Sequence, residues 1–133
     1  MIDYHKLIQE HIAQFNDPNA SIDDVMSLMH PDMVWQEKPN LFVPSGRTHK
    51  RADLSIFWER GRKLLLNQTY TLRQALVMGD SAAIQLDWEG TVAQAIGDFS
   101  AGQQLRAPIA IFMEFQDGLI IRQTDYPCYY PFK

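Results

Sequence analysis

Beyond Asn67 nearly the whole chain reads as β-strand, and this constrains the fold more than any other feature. Four runs, residues 69–78, 82–93, 104–115 and 119–126, are rich in aliphatic, β-branched and aromatic side chains. They are joined by Gly79-Asp80-Ser81, by a longer glycine-containing loop, and by Asp117-Gly118. Strands linked by short turns pair antiparallel. The resulting meander must bury its apolar face, and the segment before Asn67 has to supply the cover.

That segment carries helical signals. Over residues 3–15 the apolar side chains fall at Tyr4, Leu7, Ile8, Ile12 and Phe15, one stripe of a helix, and His11 lies on the same stripe. Asn16-Asp17-Pro18-Asn19 breaks it. Ser21 with Asp24 marks the start of a short second helix carrying Val25, Leu28 and Met29. Residues 33–37 read as a strand, and Pro39, Pro44 and Gly46 keep 38–47 irregular. Thr48 is the expected cap of a third helix with Leu54, Phe57, Trp58, Gly61, Leu64 and Leu65 on its stripe, ending near Asn67. The fold class predicted is α+β: a curved antiparallel sheet with three amino-terminal helices, forming a single domain over residues 1–133.

Composition narrows the function classes. A formal charge of -4, with no basic cluster beyond Arg47–Arg51, offers nothing to neutralise a run of phosphates, so nucleic acid is not an expected partner. No apolar stretch is long enough to span a membrane, and residues 1–10 carry charges where a signal peptide needs an apolar core; a cytoplasmic location is expected. The single cysteine, Cys128, forms no intramolecular disulfide and is read as buried and inert. His5, His30 and His49 show no ligand spacing, so no metal site is expected.

The helix pair, the strand "MVWQEKPN", the loop ending "SGRTHKRADL" and the closing "DGLIIRQTDYPCYYPF" together resemble the nuclear transport factor 2-like, or SnoaL-like, superfamily. The resemblance covers nearly the whole chain. It implies a cone-shaped α+β barrel with a deep pocket, often dimeric, whose relatives include ketosteroid isomerases, polyketide cyclases, limonene epoxide hydrolases and non-enzymatic binders. Fold alone does not choose among them. By that resemblance Trp35 and Glu37 face the pocket, Glu37 stands about where the isomerases keep a proton-shuttling aspartate, and Asp125 in "TDY" matches an acid of the final strand. His11 falls near the helix-one site of a hydrogen-bonding tyrosine. Two departures count against close mimicry. The apolar run Ile109-Ala110-Ile111-Phe112 stands where the isomerases place a second carboxyl, and Asp87 and Glu89 have no arginine evident beside them.

The reading is therefore a pocket for a small hydrophobic molecule. If it is catalytic, the chemistry is cofactor-independent proton transfer, such as isomerisation, cyclisation or dehydration, with Glu37 as base, Asp125 as acid and His11 as their partner. Trp35, Trp58, Asp87, Trp88, Phe112 and Tyr126 are the candidate ligand wall, and the aromatic tail Tyr126, Tyr129, Tyr130 and Phe132 suits a pocket mouth. The bland readings stay open beside these. Gln85, Asp87 and Glu89 alternate with Ile84, Leu86 and Trp88, as on the wet face of a half-buried strand. A histidine on an apolar stripe is often a core residue, and the aromatic residues are often plain core. The 95–102 loop, with Ile96 and Phe99, is either a lid or an ordinary long hairpin loop. The rival function is a ligand-binding or dimerisation module without chemistry, and a homodimer is the family-level expectation.

Overall fold

The structure is a computed structural model that describes residues 2–130; Phe132 lies outside them. The order is α1 (Tyr4–Asn16), α2 (Ile22–Met26), β1 (Met29–Glu37), β2 (Arg47–Lys50), α3 (Leu54–Leu64), β3 (Leu65–Met78), β4 (Ser81–Val92), β5 (Gln104–Gln116) and β6 (Leu119–Pro127). The six strands form one curved, unclosed sheet in the order β2-β1-β6-β5-β4-β3. Three helices with such a sheet make the α+β fold anticipated above.

Capping explains where the helices begin. Asp3 accepts a hydrogen bond from the Lys6 amide at 3.1 Å, and Ser21 and Asp24 exchange two bonds of 3.1 Å at the head of α2. Helix α2 stops at Met26, short of the predicted Leu28 and Met29, because Met29 is already paired with Ile120 at the start of β1. Thr48 is not a helix cap. Arg47, read as the end of the loop, and the residues from Thr48 to Lys50, read as the approach to the third helix, pair with β1 as β2, with Glu37 opposite Arg47, and the third helix starts only after a 3-10 turn at Arg51–Asp53. Helix α3 ends at Leu64 rather than near Asn67, since Leu65 pairs with Val92 and continues as β3. Asn67 sits in a bulge there, with φ 52° and a register shift between Leu66 and Thr69.

The meander pairs antiparallel as expected, but β1 runs parallel to β6, so the sheet is mixed. The Asp117-Gly118 turn holds both residues at positive φ, 55° and 75°, the backbone that suits a tight hairpin twist. Burial alternates along β4 and β5: Ala82, Ile84, Leu86 and Trp88 face inward, as do Leu105, Ala107, Ile111 and Met113. The helices cover this concave side. Ile8, Met29, Met33, Met113 and Ile120 form the packed end of the core, with essentially no exposure. Among the described residues no helix is long and apolar enough to cross a membrane.

Candidate functional site

Above that packed end the sheet and helices leave a cavity of about 560 Å³. Its wall is largely aliphatic and aromatic, with Phe15, Trp35, Trp58, Tyr70 and Trp88 among the lining side chains. Phe15 on α1 is the hub, its ring 6.0 Å from Trp35, 5.5 Å from Trp58 and 5.4 Å from Tyr70. Over the opening, Phe42 from the β1–β2 loop meets Phe99 at 4.9 Å and Tyr129 at 4.4 Å. The 95–102 loop thus contributes Ile96 and Phe99 to the wall.

The polar end is built by the parallel β1–β6 pair. Trp35 stands opposite Gln123 and Glu37 opposite Asp125, which puts all four side chains on the concave face. Asp125 receives hydrogen bonds on both oxygens: from Trp35 Nε1 at 2.8 Å and from Gln123 Nε2 at 3.0 Å. Gln123 is 2 % exposed, and its carbonyl oxygen lies 3.2 Å from His11 Nε2. Since the Gln123 amide nitrogen faces Asp125, the network assigns the imidazole hydrogen to Nε2 of His11. His11 Nδ1 is buried without a partner.

Burial raises the Asp125 pKa from 3.8 to about 7, against the pull of the Gln123 and Trp35 hydrogen bonds; the Glu37 charge adds to the rise. Burial lowers His11 from 6.5 to about 4, with the Gln123 hydrogen bond opposing it. The carboxyl is therefore poised near neutrality while the imidazole stays neutral. Glu37 is held differently. Its Oε2 accepts from Arg47 Nε at 2.7 Å and its Oε1 from Asn40 at 3.1 Å. The Arg47 guanidinium in turn lies over the Phe57 ring, 3.9 Å from its centre.

The structure thus brings Glu37, Asp125, His11, Trp35, Trp58 and Trp88 to one cavity. His11, however, bonds Gln123 and through it Asp125, not Glu37 as the sequence reading had it. Asp87, Phe112 and Tyr126 need correction: none lines the cavity. Strand alternation turns them to the convex face, where Phe112 is 53 % and Tyr126 41 % exposed. Asp87 does have an arginine beside it, Arg73 of β3 at 2.7 Å, but that pair lies outside the cone. Cys128 is exposed rather than buried. The sequence reading missed Gln68, Tyr70, Arg47 and the part played by Gln123; only Gln123 carried a signal, its two-residue spacing from Asp125. Among the described residues no cluster of three or more His, Cys, Asp or Glu is placed to hold a metal ion.

A helix-backed, curved sheet around an apolar cavity with a buried carboxyl defines a protein of the nuclear transport factor 2-like class. Residues 8–123 match the model of the SnoaL-like domain, and the chain belongs to that family. No functionally curated protein matches it. Among solved structures it is similar to IdmH of Streptomyces antibioticus, a candidate polyketide cyclase, at 18% identity and TM-score 0.76, over 92% of this chain and 90% of that one. AclR of Streptomyces galilaeus, a candidate hydroxylase, gives 18% identity and TM-score 0.74 over 92% and 73% of the two chains. An NTF2-like protein of unknown function from Burkholderia pseudomallei K96243 gives 15% and 0.77 over 96% and 92%. At these identities the likeness is one of fold.

Proposed function

We propose that the cavity binds a small apolar, ring-bearing molecule and that Asp125 moves a proton on it without a cofactor. One observation carries the reading. Asp125 is a carboxyl at the wall of an otherwise apolar cavity, fixed by two neutral donors, with its proton affinity lifted to about neutrality. A general acid or base works best when its pKa lies near the working pH, and this is the titrating group so placed. Glu37 then differs from its first assignment: tied to Arg47 and Asn40, it shapes the field at the mouth rather than taking the proton. His11, neutral and bonded to Gln123, orients the amide that orients Asp125.

β-Tetralone, an apolar bicyclic ketone with acidic hydrogens beside its carbonyl, is a suitable probe. With the protein in heavy water, proton NMR should show loss of those hydrogens faster than in buffer, and Asp125→Asn should slow the protein-dependent rate about 10²-fold or more. Binding of the ketone with exchange no faster than in buffer would leave a binding module and remove the catalytic reading.

A further inference from the structure

The charged side chains of the cavity wall can be paired off, and two arginines of α3 are left over. Arg47 is matched by Glu37, and Asp125 is met by neutral donors. Arg60 and Arg62 line the same cavity, and neither has a carboxylate within ion-pair distance among the described residues. Their settings differ. Arg60 is exposed, whereas Arg62 is half-buried and fixed: its guanidinium lies over the Trp58 ring, 4.2 Å from the centre, and its Nη2 donates to the Asp17 carbonyl at 2.9 Å.

Arg62 also lines a second space, a recess of about 290 Å³ where the carboxy-terminal ends of α1 and α3 meet the start of β3. Phe15, Arg62 and Gln68 belong to both walls, and Asn16, Asn67 and Thr69 complete much of the recess. Local sequence shapes it. The strand bulges between Leu66 and Thr69, and Asn16 holds it beyond the bulge, donating to the Tyr70 carbonyl at 2.8 Å and accepting from the Tyr70 amide at 2.6 Å. Gln68 Oε1 accepts from Trp88 Nε1 at 3.2 Å and from the Tyr70 hydroxyl at 3.3 Å; an indole N–H only donates, which fixes the end of the amide that is oxygen. Gln68 Nε2 and the remaining N–H groups of Arg62 have no acceptor among the described residues. The Asp17 carboxylate does not supply one, being turned to the Asn19 amide at 2.8 Å. Donors without acceptors, one of them a planar cation, suit a group that only accepts and carries a single negative charge: a carboxylate, which a guanidinium can meet with two parallel bonds.

We infer that the recess takes a carboxylate carried on a short arm of the ring molecule in the main cavity, so that the ligands are apolar ring acids anchored by Arg62 and Gln68. The inference rests on the cavity-binding reading above and deepens it, without needing the proton transfer. Phe15 ties the two ends together. Its ring meets Trp58, which lies under Arg62, and Trp35, which donates to Asp125. A ring lying against Phe15 is thus within reach of both, and the anchored arm decides which of its atoms faces Asp125. The charges agree with that orientation. Asp125 and Glu37 repel a carboxylate at their end of the cavity, while Arg62 attracts it to the other wall.

The probes are naphthalene, 2-naphthylacetic acid and its homologue with one more methylene, each acid set against its primary amide, which has the same shape without the charge. Equilibrium dialysis at neutral pH reads the affinities. At least one acid should bind the wild-type protein about tenfold or more tighter than its amide. Arg62→Met, which keeps an unbranched stem over Trp58, should abolish that preference, while Arg60→Gln, a cation outside the recess, should leave most of it. Naphthalene should bind all three proteins alike. If Arg62→Met does not fold, Arg62→Lys, a charge without the fork, is expected to cut the preference several-fold, and no cut would count against the inference. Acids no tighter than their amides, a preference that survives Arg62→Met, or an equal loss from Arg60→Gln would overturn the carboxylate site and leave the cavity reading standing. Failure of naphthalene to bind the wild-type protein would overturn both.

Discussion

Glu37 and Asp125 are neighbours on parallel strands, face the same cavity, and yet sit in opposite circumstances. Glu37 is met by a guanidinium and an amide, in an ion pair at the edge of the site. Asp125 is met only by neutral donors, an indole and an amide, and burial outweighs both. Hydrogen bonds without a compensating charge position a carboxylate; they do not offset its desolvation in full. The difference separates a carboxylate tied into an ion pair that organises its surroundings from one whose proton is near balance. Identical residue chemistry one strand apart thus yields two roles, and what decides is whether the partner carries charge.

The largest test of this contrast is the pH dependence of stability in Asp125→Asn. A folded pKa of about 7 against 3.8 means the folded state binds the extra proton, so the stability credited to Asp125 is full below 3.8 and lost as pH rises to about 7. His11 has the reverse sign: its folded pKa of about 4 against 6.5 makes stability fall as pH drops through that window. The two slopes oppose each other between about pH 4 and 6.5. Removing Asp125 should therefore expose the His11 slope. Relative to wild type, the variant is expected to gain on the order of 4 kcal/mol between the acid and neutral ends in urea unfolding. Parallel wild-type and variant curves would mean Asp125 titrates as an ordinary surface carboxylate.

The same network predicts that His11 stays neutral. A proton NMR titration should find one imidazole that does not protonate until well below pH 5, with its hydrogen on Nε2. An ordinary midpoint near 6.5 for every histidine would contradict the buried chain from His11 through Gln123 to Asp125.

Much of this was legible from residue order. The meander, the stripe of α1, the cap at Ser21 and the inward alternation of Trp88 follow from local periodicity, which sequence records directly. What failed to show was pairing between distant segments. Arg47–Lys50 becomes a strand because β1 offers it an edge, and β1 lies parallel to β6 although α3 and four strands separate the two in the chain. Phe112 and Tyr126 looked like wall because aromatic type was weighed above strand parity; two-residue alternation from Asp125 already sets Tyr126 on the other face. Gln123 was passed over for the opposite reason. A neutral amide looks unremarkable until it is found buried between two titrating groups.

Gln123→Leu probes the neutral side of the comparison. Its amide is the foremost of the two hydrogen bonds that favour ionised Asp125, so losing it should raise that pKa further above 7, by about 1 unit. The buried His11 Nε2–H also loses its acceptor, which should cost about 1–3 kcal/mol of stability. The pH profile of β-tetralone exchange reads the first effect and urea unfolding the second. A profile that moved to lower pH would show that Gln123 does not stabilise the carboxylate.

Glu37→Gln probes the charged side, and its shift should be smaller and of opposite sign. The Glu37 charge is the last of the influences on Asp125, and it raises the pKa; replacing it with an amide of the same shape should lower the exchange profile by less than about 1 unit. Stability should suffer modestly, because Arg47 is left without its carboxylate but keeps the Phe57 ring beneath it. Above its lowered midpoint the variant should therefore retain most of the wild-type exchange rate, while Asp125→Asn retains almost none. Equal losses from the two substitutions would assign both carboxyls to the proton transfer, and the distinction drawn from their partners would not hold.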